Sequence, residues 1–214
     1  MTDLILLRHG ETEWNRERRI QGLSDIPLNE TGRRQAREAA ARLKTELADA
    51  APVVVVSSDL SRAVETATII SDALGVDPPR EYPGLRERGY GEAEGALVAE
   101  VPAIFGSADR DRIPGAESAA DLRHRAVQVL DQIERDAAVH SPGAVIVAVA
   151  HGALIAEVVR LASGGTLPRP GERIPNAAAT RLTLGPDGIA LAPESVEPLE
   201  MLAPPSGIHS ANRA

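Results

Sequence analysis

A chain of 214 residues, 43% hydrophobic and 25% charged, has the make-up of a soluble globular protein and is long enough for one well-filled domain or two small ones. It has no cysteine, which excludes disulfides, thiolate catalysis and zinc–thiolate sites and agrees with a reducing compartment. Its net charge of −8 argues against a nucleic-acid-binding surface, so an anionic ligand has to meet positive charge concentrated locally.

The start, Met1-Thr2-Asp3, lacks a positive n-region, and Leu4-Ile5-Leu6-Leu7 is too short for a secretory h-region. Those four residues read instead as a buried strand that stops at an Arg8-His9-Gly10 corner. A loop follows from Asn15 to Leu28, holding Arg16, Arg18, Arg19, Gln21 and Gly22. A helix of roughly Gly32 to Ala48 comes next, with Asn29 or Thr31 as its cap. Val53-Val54-Val55-Val56 is β-branched throughout and predicts a strand buried on both faces. Asp59 is placed to cap the helix after it, where Leu60, Val64, Ala67, Ile70 and Leu74 recur at helical spacing and Gly75 closes.

The middle, Val76 to Pro114, is irregular, with one short helical segment around Leu97 to Phe105. A long amphipathic helix is predicted from about Glu117 to Val139, with Leu122, Ala126, Val129, Leu130 and Ile133 inward. The longest apolar run, Ala144 to Ala150, is a strand far too short to span a bilayer; it ends at His151-Gly152 and feeds a helix from Leu154 to Ala162. A hairpin closes the pattern: Thr180 to Leu184, the turn Pro186-Asp187-Gly188, then Ile189 to Ala192. Residues 1–202 read as a single domain, with 203–214 as a loose tail. Alternating strands and helices predict an α/β fold with a mainly parallel sheet and helices on both faces. A soluble cytoplasmic protein with no nucleic-acid and no membrane partner is expected. The oligomeric state is left open, a homodimer among the alternatives.

Three elements of such a sheet end at one edge, where ligands of open α/β folds bind. Arg8 and His9 follow the first strand, Arg62 lies in the first turn of the helix after the second, and His151 follows the late strand. The helix start near Leu60 to Arg62 adds free N–H groups, and each guanidinium suits bidentate oxygen contacts. Two strand-end histidines with two arginines suggest phosphate chemistry. The other histidines, His124, His140 and His209, read as surface residues.

The run Leu6 to Asn15 (LLRHGETEWN), Gln21 to Leu28 (QGLSDIPL), Ser57 to Ala63 (SSDLSRA), Leu85 to Glu92 (LRERGYGE) and Ala150-His151-Gly152 together resemble the histidine phosphatase superfamily in its phosphoglycerate mutase-like branch. The matches fall in the family's order and cover about residues 4 to 185. The resemblance implies a three-layer α/β/α sandwich. It implies that His9 is the nucleophile that becomes phosphohistidine, that Arg8, Arg62 and His151 clamp the phosphoryl oxygens, and that Glu87 is the proton donor. Asn15, Gln21 and Gly22 would line the phosphate pocket, with Gly152 beside His151. The physics agrees. His9 attacks only while unprotonated, with its other ring nitrogen donating to an acceptor, expected to be backbone. Glu87 must start protonated, a form favoured by a neighbouring phosphate dianion. Without the resemblance, Arg86-Glu87-Arg88 reads as a solvated charge cluster. Fixed Arg and His charge takes the place of a metal, so no metal and no cofactor are expected.

The chain departs from that family's pattern in two places. The cap segment, about 92–116, is short between Gly95 and Pro114, and Ala93 stands where an aromatic residue is common. Aromatics make up 2% of the chain, so the mouth is expected to be open and permissive. A mutase must retain a doubly phosphorylated intermediate, which favours a lidded basic pocket. The leading reading is therefore a metal-independent phosphomonoester hydrolase acting on a small phosphorylated metabolite. The alternatives are a phosphoglycerate mutase and, from another class, a catalytically silent phospho-ligand binder.

Overall fold

The computed structural model describes residues 1–48, 52–106, 109–186, 188–196 and 200–201. The first half runs β1 (Thr2–Arg8), α1 (Glu13–Arg16), α2 (Glu30–Glu46), β2 (Val53–Ser57), α3 (Ser61–Leu74), β3 (Arg80–Glu81) and α4 (Val101–Phe105). The second half runs α5 (Ala119–His140), β4 (Val145–Ala150), α6 (Gly152–Ala162), β5 (Glu172–Arg173), β6 (Ala179–Gly185), β7 (Gly188–Val196) and β8 (Glu200–Met201).

The main sheet has six strands in the order β3-β2-β4-β1-β6-β7, and β5 pairs separately with β8. Pairings from β3 through β1 are parallel, while β6 and β7 add antiparallel strands at one side. Register sets Leu4 beside Ile146 and Arg8 beside Ala150. Because side chains alternate faces, Leu4 and Leu6 join Ile146 and Ala148 under α5 and α6, against Leu130, Leu154 and Val158. Ile5 and Leu7 join Val147 and Val149 on the other face, against Ala39, Leu43, Ala63 and Ile70 of α2 and α3. The result is the expected three-layer α/β/α sandwich. β1 and β4 lie side by side at its centre, and the chain leaves them toward opposite sides of the sheet. The crevice beyond their carboxyl ends is where such folds bind ligands, and it receives His9 and His151.

Local chemistry explains the helix starts, with two corrections. Asn29 caps α2, its Oδ1 accepting from Gly32 N–H at 2.8 Å, and Ser118 caps α5 by accepting from Asp121 N–H. Asp59 does not cap α3. Its carboxylate takes both nitrogens of Arg86, at 2.7 and 2.5 Å, a charged pairing that outcompetes a neutral cap. Asp25, from the preceding loop, accepts from Ser61 N–H instead. The second correction concerns Val53 to Val56. Val53 and Val54 are only half-buried, because β3 pairs with Val56 and Ser57 alone and leaves the start of β2 at the sheet edge.

Two boundaries move. The short helix of the middle contracts to α4, since Leu97 bridges to Arg19 and Val98 N–H donates to the Arg18 carbonyl. α6 begins directly after His151, earlier than Leu154. Asp187 of the hairpin turn, His209 and the tail 203–214 lie outside the described residues. Among the described residues, no helix is long and apolar enough to cross a membrane.

Candidate active site

β1 delivers its last residues into the crevice by continuing the sheet's bonding. His9 N–H donates to the Ala150 carbonyl, and Arg8 N–H donates to that of Ala178, both at 3.0 Å. The His9 ring faces the His151 ring with centroids 5.1 Å apart and planes tilted by 57°. Both residues are buried. Nδ1 of His9 lies 2.6 Å from the Gly10 carbonyl. A carbonyl only accepts, so Nδ1 carries the hydrogen and Nε2 keeps the free lone pair. Burial first, then the charges of Arg62 and Arg8, push the His9 imidazole well below its ordinary value and keep it neutral. The acceptor is backbone, as the sequence reading expects.

His151 is held neutral by the same causes, burial first, then Arg62, His9, Arg8 and Arg125. Neither of its ring nitrogens has a hydrogen-bond partner among the described residues. An unsatisfied buried donor or acceptor costs about 1–3 kcal/mol, a cost that an oxygen-rich ligand between the two rings would remove.

Arg62 is fully buried, not solvated as a lone arginine in a first turn usually is. Its Nη1 donates to the Ser24 carbonyl at 2.8 Å and its Nη2 to that of Gly22 at 2.9 Å. Those bonds fix the plane of the guanidinium and leave the rest of its five N–H donors for a ligand. The loop that supplies the carbonyls is fastened to Glu94, whose carboxylate accepts from Leu23 N–H, Ser24 N–H, Ser24 O–H and Tyr90 N–H at 2.7–3.1 Å. Gly22 is required here: its φ is +57°, and a Cβ would sit 2.1 Å from Glu94 Oε1. Arg8 donates to the Ile174 carbonyl at 2.6 Å. A Cβ on Gly152 would meet its Nε at 3.4 Å.

Glu87 reaches the same crevice from the loop after β3. Its carboxylate accepts from Ala153 N–H, in the first turn of α6, at 3.1 and 3.2 Å, and from Arg88 N–H at 2.9 Å. It therefore sits at the helix start that His151 opens, rather than in a solvated cluster. Arg125 holds this loop by donating to the carbonyls of Gly84, Arg86 and Glu87. Gln21 Oε1 accepts from the Thr12 hydroxyl at 2.9 Å and Asn15 Oδ1 from Thr12 N–H at 3.2 Å, which leaves their amide N–H groups for an anion. The structure thus gathers His9, Arg8, Arg62, His151 and Glu87 around one crevice, with Asn15 in the short α1, Gln21 and Gly22 in the loop after it and Gly152 at the start of α6.

Sequence reasoning missed three supporting residues. Thr66 accepts from Gly10 N–H at 3.1 Å. Asn176 donates to the His9 carbonyl at 3.0 Å and to Asn15 Oδ1 at 3.2 Å. Glu94 fastens the Gly22–Ser24 loop. A helical spacing of four from Arg62 is the one signal that could have found Thr66.

An α/β sandwich whose strand ends present a neutral histidine among fixed guanidinium groups defines a protein that handles phosphoryl groups. A family model described as histidine phosphatase superfamily (branch 1) matches residues 4–193. The chain belongs to that superfamily and is an enzyme of its phosphatase kind. It is 36% identical over 183 residues to an uncharacterized phosphatase, PhoE, of Bacillus subtilis strain 168, covering 85% of this chain and 88% of that one. It is 36% identical over 180 residues to a metal-independent phosphoserine phosphatase of Arabidopsis thaliana, covering 78% and 73%. Among solved structures, a mycobacterial glucosyl-3-phosphoglycerate phosphatase complexed with VO3 superposes with a TM-score of 0.74 at 31% identity, covering 90% of this chain and 97% of that one.

Proposed function

We propose that this protein hydrolyses small phosphomonoesters through a phosphohistidine on His9, without a metal ion. The observation that carries this reading is the His9 ring: buried, neutral, with Nδ1–H on the Gly10 carbonyl and Nε2 free between Arg8, Arg62 and His151. Nε2 attacks phosphorus in line, the P–O ester bond breaks, and Glu87 gives its proton to the leaving oxygen. Water then attacks the phosphorus of the phosphohistidine, Glu87 takes a proton from it, the Nε2–P bond breaks to restore His9, and inorganic phosphate leaves. Charge on the transferring group's oxygens meets Arg8 and Arg62, which are permanently cationic. His151 gains its proton when a phosphoryl dianion outweighs burial and the neighbouring arginines.

Hydrolysis is favoured over phosphoglycerate mutation by the cap segment, which is short between Gly95 and Pro114 and so offers little to retain a doubly phosphorylated intermediate. The substrate class is a phosphorylated small metabolite, of the kind named for the relatives that act on phosphoserine and glucosyl-3-phosphoglycerate.

The test is turnover of para-nitrophenyl phosphate in EDTA. Wild type keeps its rate and His9→Ala loses it by about 10⁴-fold or more. Turnover that survives in the variant, or that chelation abolishes, contradicts the mechanism. Glu87→Gln should lose more rate on esters with poor leaving groups than on those with good ones. Equal losses would remove Glu87 from the acid role. Efficient interconversion of phosphoglycerates with little phosphate release would favour the mutase alternative.

A further inference from the structure

The tautomer of His9 depends on where one carbonyl points, and that carbonyl belongs to Gly10. Glycine has no Cβ to restrict its dihedral angles, so the direction has to be imposed from outside. Gly10 N–H donates to Thr66 Oγ1 at 3.1 Å, and the Thr66 hydroxyl donates to the Arg62 carbonyl at 2.7 Å. On either side, the His9 carbonyl accepts from Asn176 Nδ2, and Glu11 N–H donates to Gln35 Oε1. Thr66 is fully buried, so water does not replace its hydroxyl. It also stands one turn beyond Arg62 on α3. A single hydroxyl therefore joins the strand end that carries the histidine to the helix that carries the arginine.

We propose that Thr66 is a positioning residue for catalysis. Through the Gly10 N–H it holds the His9–Gly10 peptide, while Gln35, on Glu11 N–H, holds the next peptide, whose carbonyl selects the Nδ1-protonated form of His9, and through the Arg62 carbonyl it sets the nucleophile's position against the guanidinium clamp. The proposal rests on the reading of His9 as the nucleophile. Threonines in helices commonly bond back to the carbonyl four residues earlier, and the molecule supplies its own comparator. Thr68 makes that bond to the Val64 carbonyl at 2.9 Å but is exposed and reaches no residue of the crevice. What sets Thr66 apart is the Gly10 N–H it accepts.

The experiment compares Thr66→Val, which keeps the shape and loses the hydroxyl, with Thr66→Ser and Thr68→Val. Steady-state turnover of para-nitrophenyl phosphate is measured together with long-range proton–nitrogen NMR spectra of histidine-labelled protein, which tell Nδ1–H from Nε2–H. Thr66→Val should lower kcat by about 10- to 100-fold while KM moves by less than about threefold, since a misplaced nucleophile slows the step more than it weakens binding. Its His9 should show a mixture of tautomers. Thr66→Ser should restore both kcat and the single Nδ1–H form, and Thr68→Val should leave both unchanged. If Thr66→Val does not fold, Thr66→Ala is read by the same criteria.

A folded hydroxyl-free variant with unchanged kcat and an unchanged His9 tautomer overturns the proposal, as does a loss that Thr68→Val shares. His9→Ala separates the two layers. Turnover that survives it topples the nucleophile itself, whereas a silent His9→Ala with an insensitive Thr66→Val topples only the positioning role.

Discussion

Around His9 the backbone is held by buried side chains from distant elements, whereas between Glu92 and Ala116 the chain alternates its own turns with bonds to the neighbouring loop of Arg18 to Ser24. The His9 carbonyl, the Gly10 N–H and the Arg62 guanidinium are tied by Asn176, Thr66 and the Gly22–Ser24 loop. In the cap, Ala93 N–H returns to Tyr90, Glu94 to Gly91, Ala96 to Ala93 and Arg112 to Asp109. A small apolar cluster of Ile20, Tyr90, Ala93, Val101 and Ile113 fastens it to the loop below, while Ile104 is 56% exposed and Val98 39% exposed. The contrast separates two jobs. The proposed mechanism needs charges that do not reorganise in the transition state, and the bonds that hold Arg62 and the His9 backbone give that rigidity. Under that mechanism the choice of leaving group needs only a rim, the part we propose for the cap.

The comparison breaks most easily at Arg62. Arg62→Ala removes a preorganised cation and should lower kcat/KM by about 10³-fold. Arg62→Lys should recover only part of this, because an ammonium cannot hold the Gly22 and Ser24 carbonyls and a phosphoryl oxygen in one plane. Recovery to wild-type rate in the lysine variant would mean that charge alone, not the fixed fork, matters here.

A smaller effect concerns pH. His9 and His151 are held below their ordinary value mainly by burial, then by Arg62, whereas in the unfolded chain they titrate near about 6.5. Below that pH the unfolded state binds protons that the folded state refuses, so stability falls as pH drops through this window and is fully present above it. The melting temperature should therefore decline between about pH 7 and 5, and less steeply in His151→Asn, which lacks one of the two groups. Parallel slopes in the two proteins would contradict the assignment. The acid limb of kcat/KM should also lie below about pH 6.5, because His9 stays neutral there.

The smallest effects belong to the cap. Ile104→Ser and Val98→Ser should change stability by less than about 0.5 kcal/mol. They should also leave para-nitrophenyl phosphate turnover within about twofold of wild type while shifting KM among esters with apolar leaving groups. A large fall in kcat would bring the cap into the cradle's half of the comparison.

The same division decides what was legible in the sequence. His9 and His151 were legible because apolar runs stop at them, and a strand that stops in an open sheet points at the crevice. A backbone acceptor for His9 was expected on chemical grounds, but the residues that hold that backbone in place were not. Arg62 drew notice from its place in the first turn after the second strand, but its full burial depends on carbonyls 38 and 40 residues earlier, which no local pattern contains. Asp59 misled for the same reason: a cap is a local guess, and its real partner, Arg86, is 27 residues away. Thr66, Asn176 and Glu94 act through tertiary contacts with backbone groups, which carry no side-chain signature. Glu87 needed the resemblance, since a carboxylate between two arginines reads as solvated until α6 is seen to start upon it.

The most direct measurement is rapid-quench trapping of the enzyme during turnover of a phosphomonoester it hydrolyses well, followed by mapping of the labelled residue. The account predicts an acid-labile, alkali-stable phosphoryl adduct on His9 that forms and decays at rates compatible with kcat and is absent from His9→Ala. Rapid turnover with no adduct at that side chain, or with an adduct elsewhere, would contradict it.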